Sequence, residues 1–276
     1  MDRARQWVHA ALEEDLQWGP DVTTLATIPA DQMGTAAVVA RAPGCIAASR
    51  VAATVFDDSP VEVQFHLADG DRVAPGDTVL TATGPIHELL TRERTLLNVM
   101  CQLSGVATLT RQWMDALDGT GAVVRDTRKT IPGERILQKY AVECGGGMNH
   151  RMGLGDAALI KDNHVAAIGS VAAAYEAVKS RYPDIPVEVE VDTIEQVREA
   201  VGVGVDLILL DNMSPQTIRQ ALEITTPAGV KTEASGGITL ERAHEFGETG
   251  VDYIAVGELT HSAKVLDLGF DLSWHS

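Results

Sequence analysis

From Ala122 onward the chain alternates short, nearly continuous apolar runs with amphipathic stretches, and this alternation restricts the possible folds most. The apolar runs are AVVRD, AALIK, VEVEV, DLILLD, VKTEAS and DYIAVG. The last four alternate with helical patterns that begin at Thr193, Ser214 and Thr239. Apolar strands that alternate with helices indicate a parallel sheet covered on its faces. The runs close on Asp126, Lys161, Glu190 (inside its strand, facing one side), Asp211, Ser235 and Gly257. An open doubly wound sheet gathers ligand groups at one crevice, whereas a (β/α) barrel draws them from the C-terminal ends of many strands. Nearly every strand here ends on a functional group, which favours a barrel. Six strands can be counted, so an incomplete barrel is expected.

The N-terminal third has a different rhythm. MDRARQWVHAALEEDL reads as an amphipathic helix rather than a signal peptide. Three apolar runs follow, in GTAAVVARAPG, CIAASRVAATVF and VEVQFHLADGDRVAPGDTVLTATG. The third alternates around Asp-Gly-Asp and Pro-Gly-Asp and predicts half-exposed strands with tight turns. Its hairpin pattern suggests a carrier module, but no lysine precedes Lys129, so a structural α/β sandwich is expected instead. Apolar residues from about Arg94 to Leu117 recur every three or four positions and predict a bridging helix. The expected organisation is a sandwich domain with the bridging helix over 1–106 and a barrel over 107–264. A tail, 265–276, packs back on the first domain.

Charge marks one stretch of the barrel. The chain carries a net charge of −17, yet Arg125 to Lys161 holds seven Lys or Arg against four Asp or Glu. Singly, such residues are solvated surface charges. Together, in an acidic chain, they indicate a place that holds an anion. The acidic balance argues against nucleic acid and anionic membranes. Aromatics at 4% provide no stacking platform. No apolar run approaches the ~20 residues that span a bilayer. Three cysteines without a CxxC fit reduced thiols in a cytoplasmic protein.

Ser235-Gly236-Gly237-Ile238 follows a strand and precedes a helix, where freed backbone N–H groups suit a phosphate. Gly257, after the last strand, falls beside it in a barrel. Glu190 and Asp211 suit either a Mg²⁺ ion shared with substrate phosphates or pairing with nearby basic residues. His150, beside Arg151, is either a ligand or a buried hydrogen-bonded ring. Lys161 is a charge clamp or a Schiff-base lysine as in barrel aldolases. The arginines favour the clamp, because they imply a substrate with several negative charges. Such an inventory suits a reaction driven by positioning and electrostatics, such as phosphoribosyl transfer.

Several segments also resemble the quinolinate phosphoribosyltransferase family. They are RERTLLNVMCQLSGVATLT, DTRKTIPGERILQKYAVECGGGMNHRMGLGDAALIKDNH, VEVEVD, LILLDNMS, EASGGI and GVDYIAVGELTHS. The resemblance implies an N-terminal α/β sandwich plus an incomplete (β/α) barrel, and the joining of quinolinate to phosphoribosyl pyrophosphate in NAD biosynthesis. It implies that Arg128, His150, Arg151 and Lys161 hold quinolinate, with Arg94 contributed by the partner of a homodimer. Thr127 and Lys129 would meet phosphoribosyl pyrophosphate, and Glu190 and Asp211 would face the ribose and Mg²⁺. Ser235, Gly236, Gly237 and Gly257 would hold the 5′-phosphate. Lys129, Lys161, Glu190 and Asp211 are the expected catalytic set. Glu258 departs from the family, which has a small residue there. The rivals are a paralogue of this fold associated with molybdate transport, a barrel aldolase using Lys161, and a non-catalytic carrier.

Overall fold

The computed structural model describes residues 2–274. In chain order the elements are α1 (Asp2–Leu16), α2 (Val22–Thr27), β1 (Met33–Ala40), β2 (Gly44–Cys45), α3 (Ser49–Ala52), β3 (Glu62–Phe65), β4 (Arg72–Val73), β5 (Thr78–Pro85) and α4 (Ile86–Ala116). They continue with β6 (Val123–Arg125), α5 (Arg135–Cys144), β7 (Ala158–Ile160), α6 (Asp162–Ile168), α7 (Val171–Arg181), β8 (Val187–Val191) and α8 (Ile194–Gly202). The last are β9 (Leu207–Asp211), α9 (Pro215–Thr225), β10 (Lys231–Ser235), α10 (Ala243–Gly247), β11 (Tyr253–Ala255), α11 (Glu258–His261) and β12 (Leu268–Ser273). Among the described residues no helix is long and apolar enough to cross a membrane.

The chain forms two compact units. One comprises 1–111, 132–146 and 262–276; the other comprises 112–131 and 147–261. The first contains an antiparallel sheet in the order β12-β1-β5-β3 and the small pair β2-β4. Strand β1 is central, with Ala36 opposite Ala82 on β5 and opposite Leu272 on β12. The middle apolar run, CIAASRVAATVF, becomes the short β2, then α3 and a 3₁₀ turn over Ala53–Phe56. The tail lies against α4 at Gly105. A Cβ there would fall 2.2 Å from the Lys264 carbonyl oxygen, so only glycine permits the approach.

The second unit is built on six parallel strands in the order β6-β11-β10-β9-β8-β7. These are the six apolar runs expected from the sequence. The barrel is open: among the described residues β6 and β7 do not pair, and a parallel bridge from Arg125 to Met148 extends the β6 edge instead. Local sequence sets the crossover helices. Thr193 and Gln196 form a reciprocal capping box that starts α8, and Ser214 with Pro215 starts α9. Alternate strand residues form the apolar layer. Val187, Val189, Val191, Ile208 and Leu210 are buried, together with Val197 and Ala200 of α8 and Ile218 and Ala221 of α9.

The units divide the chain differently from the expected 1–106 and 107–264. The cut falls within α4, between Arg111 and Gln112, and α5 joins the first unit although its sequence lies between two strands of the second. The apolar face of α5, including Leu137, Ala141 and Val142, is buried. At its end Gly145 would place a Cβ 2.5 Å from Thr110 on α4. A helix follows the surface that buries its apolar stripe, whatever its sequence neighbours do.

Candidate active site

Period-two alternation turns one face of each of β7 to β11 toward a cavity of about 400 Å³. From β7 and its end come Leu159 and Lys161; from β8, Glu190; from β9, Leu209 and Asp211. Strand β10 gives Glu233 and Ser235, and β11 gives Ala255. Two segments complete the lining: Thr127 to Lys129 after β6, and His150 with Arg151. The volume suits a substrate of drug-like size.

The arginines are the least compensated groups. Among the described residues neither Arg128 nor Arg151 has a carboxylate within 4.0 Å, and the buried Nε of each has no hydrogen-bond partner. Arg151 Nη1 donates to the Ala157 carbonyl oxygen at 3.1 Å. Burial, and after it the neighbouring Arg128 charge, pulls the Arg151 guanidinium below its ordinary pKa. Two adjacent cations at a partly desolvated wall are stabilised by an anion with more than one negative group. Lys161, by contrast, is paired with Glu190 Oε2. Its backbone N–H donates to His164 Nδ1 at 2.9 Å, which fixes the end of β7 against the start of α6.

The turn that follows Ser235 is built on glycine. Gly236 (φ +99°) and Gly237 (φ +60°) both occupy left-handed conformations after β10. A Cβ on Gly236 would fall 2.2 Å from Asn212 Oδ1, so the turn needs glycine for both space and φ. Asn212 donates its backbone N–H to the Ser235 carbonyl oxygen at 2.9 Å and its side-chain amide to Asp211 Oδ2 at 2.6 Å. The β9 and β10 ends are thereby tied together. Gly257 packs against the Lys129 side chain and His261. Thr260 Oγ1 donates to the Lys129 carbonyl oxygen at 2.8 Å.

Beneath the cavity lies a buried polar cluster. Arg125 on β6 pairs with Glu233 on β10, whose side chain is fully buried. Arg125 also stands over the Tyr253 ring, 4.9 Å from its centroid. Burial pushes the Glu233 carboxyl up from its ordinary pKa, the Glu188 carboxylate adds to the shift, and Arg125 offsets part of it. Glu188 Oε2 lies 2.9 Å from His150 Nε2. Asp126 Oδ1, also buried, accepts from the His150 backbone N–H at 2.8 Å.

The structure therefore gathers Thr127, Arg128, Lys129, His150, Arg151, Lys161, Glu190, Asp211 and Ser235 around one cavity, with Gly236 and Gly237 in the adjoining turn. Arg94 lies on α4 in the other unit and is not among the lining residues. It is 64% exposed and its ion contact is Glu93, at 3.7 Å. Glu258 accepts a hydrogen bond from the indole of buried Trp113 at 3.2 Å, which gives it a structural partner. Sequence reasoning missed Glu188, Glu233 and Arg125. Stepping back two residues from Glu190 and from Ser235 on strands of period two reaches Glu188 and Glu233, so the alternation already held that information.

Comparison with known proteins agrees along the whole chain. Residues 21–104 match the model of the quinolinate phosphoribosyl transferase N-terminal domain, and residues 106–271 match that of the C-terminal domain. The nicotinate-nucleotide pyrophosphorylase [carboxylating] of Mycobacterium leprae is 50% identical over 278 residues, covering 98% of each chain. The probable nicotinate-nucleotide pyrophosphorylase [carboxylating] of Bacillus subtilis is 44% identical over 94% of this chain and 90% of that one. The crystal structure of NadC from Streptococcus pyogenes superposes with a TM-score of 0.94 at 38% identity, covering 98% of this chain and 96% of that one.

Proposed function

The chain belongs to the quinolinate phosphoribosyltransferase family, and from that premise we infer that its cavity joins quinolinate to phosphoribosyl pyrophosphate, giving nicotinate mononucleotide, pyrophosphate and CO₂. The observation that carries the reading is the pair of guanidiniums, Arg128 and Arg151, without a carboxylate partner beside a glycine-lined turn. They and Lys161 hold the two carboxylates of quinolinate. Ser235, Gly236, Gly237 and Gly257 receive the 5′-phosphate through backbone N–H groups, and Thr127 and Lys129 receive the pyrophosphate.

Glu190 and Asp211 offer only oxygen donors to the cavity, which fits a hard cation that prefers few protein ligands. Mg²⁺ held between them and the substrate phosphates would neutralise charge on the departing pyrophosphate. The residues themselves act by position and field. Arg128 and Arg151 orient the ring so that its nitrogen faces ribose C1. As the C1–oxygen bond breaks, Glu190 and Asp211 stabilise the cationic sugar. The ring nitrogen then bonds to C1 and becomes quaternary. In that state its positive charge stabilises the electron pair that stays on C2 when the C2–carboxylate bond breaks; CO₂ departs and C2 takes a proton.

A pyrophosphate-release assay with both substrates tests the reading, and no release with quinolinate would end it. Arg128→Lys preserves the charge but replaces a planar fork with a point charge. It is expected to lower kcat/KM about tenfold; an unchanged value would remove Arg128 from the clamp.

We also assign the active form to a homodimer in which Arg94 serves the partner's cavity, since Arg94 is exposed and outside the lining of its own. Arg94→Ala and Arg128→Ala chains should each be inactive. Mixed, with random reassortment, they should recover about a quarter of wild-type activity, because half the dimers then hold one intact site. Recovery near zero with subunit exchange verified by mass would overturn the assignment. The free cysteines Cys45, Cys101 and Cys144 fit a reducing compartment, and we place the enzyme in the cytoplasm. Release of the protein by osmotic shock would contradict that.

A further inference from the structure

Asn212 follows β9 directly, and its φ of +54° lies in the left-handed region that favours glycine. Asparagine and aspartate tolerate that region better than other residues with side chains. The chain on both sides holds Asn212 there. Its N–H donates to the Ser235 carbonyl oxygen at 2.9 Å, Met213 is buried, and Ser214 Oγ accepts from the Thr217 N–H at 3.1 Å to start α9. The side chain is thus presented from a fixed backbone.

The orientation of the amide follows from its partner. One terminal atom of the Asn212 side chain lies 2.6 Å from Asp211 Oδ2. A carboxylate only accepts, so that atom is the donor Nδ2, and Oδ1 is turned toward Gly236. A Cβ on Gly236 would fall 2.2 Å from this oxygen, so glycine leaves the room that the amide occupies.

The cavity carboxylates of β8 and β9 are held by different means. Glu190 is paired with Lys161, a cation. Asp211 has no ion pair among the described residues, and the Asn212 amide donates to it instead. An amide carries no charge, so it orients the carboxylate without neutralising it. That combination suits a group whose field stabilises a cationic sugar. A turn that needs only a left-handed residue is served by glycine as well; the amide adds the grip on Asp211.

We propose that Asn212 is a positioning residue: its amide aims the Asp211 carboxylate at the ribose of phosphoribosyl pyrophosphate, while its backbone ties the ends of β9 and β10 together. This role rests on reading Asp211 as a ribose-facing carboxylate.

Asn212→Gly keeps the left-handed backbone and removes the amide. Steady-state kinetics should show the phosphoribosyl pyrophosphate KM raised about tenfold, with the quinolinate KM within about twofold of wild type. Calorimetric titration with nicotinate mononucleotide, which carries a ribose and needs no turnover, should show a similar loss of affinity. Asn212→Asp preserves shape and backbone preference but sets a like charge against Asp211. It should lose at least as much in both measurements.

An Asn212→Gly chain with both quantities unchanged would reduce the residue to a turn former and overturn the proposal. Equal rises in the two KM values would mean a general loosening of the cavity and would overturn it too. Should the glycine chain fail to fold, Asn212→Asp decides the question, and wild-type constants there sink the proposal. An Asp211→Ala chain with an unchanged phosphoribosyl pyrophosphate KM would instead remove the reading of Asp211 beneath the proposal, so the two failures are distinguishable.

Discussion

Nicotinate, offered in place of quinolinate, should be used with a kcat/KM lower by a factor on the order of 10² to 10³. Arg128 and Arg151 have no carboxylate partner among the described residues, and Lys161 stands at the end of a neighbouring strand. Quinolinate brings two carboxylates to these cations; nicotinate brings one. Taking away one carboxylate leaves a desolvated cation unpaired, at a cost of about 2–5 kcal/mol. Arg151 is pulled below its ordinary pKa by burial and by Arg128, so a second anion offsets the repulsion between the two guanidiniums. The check is a pyrophosphate-release assay with each acid at matched phosphoribosyl pyrophosphate. Comparable kcat/KM values would show that the cations serve the phosphates instead.

Glu233→Ala should be the most destabilising single change near the cavity. The Glu233 side chain is fully buried and paired with Arg125, itself 13% exposed. Removing the carboxylate strands a buried guanidinium and should cost about 3–5 kcal/mol, a fall in Tm on the order of 10 °C. Glu233→Gln keeps an oxygen for Arg125 and should lose far less. The isosteric variant also isolates a pH effect. Burial and Glu188 raise the Glu233 pKa, so the folded chain holds this proton more tightly than the unfolded chain does. The resulting stability is complete below the ordinary value of 4.5 and is lost as pH rises from there through the raised pKa. Thermal melts at several pH values should show a shallower alkaline decline for Glu233→Gln than for wild type. Parallel declines would mean that another group carries the slope.

The sequence by itself determined the local features of this molecule. Six apolar runs became the six parallel strands because each is short, apolar and bounded by turn residues. Thr193 and Ser214 started helices because a side-chain oxygen and a backbone N–H two or three residues away need nothing else to meet. The basic island and the Ser-Gly-Gly turn were legible for the same reason: charge density and left-handed glycines are properties of contiguous residues. So was the long resemblance to one family, carried by unbroken segments.

Only the tertiary structure decided which groups face one another. Lys161 and Glu190 lie 29 positions apart and Arg125 and Glu233 lie 108 apart; strand order and register, not spacing, bring each pair together. The alternation placed Glu188 on the face of Glu190, but only the packed His150 ring gives it a partner. The helix α5 left its sequence neighbours for the first unit because its apolar face is buried there. Propensity and period act over a few residues, whereas partner choice among buried charges is settled by the whole sheet closing at once. For that reason the chemistry of this site was readable as an inventory, and its wiring was not.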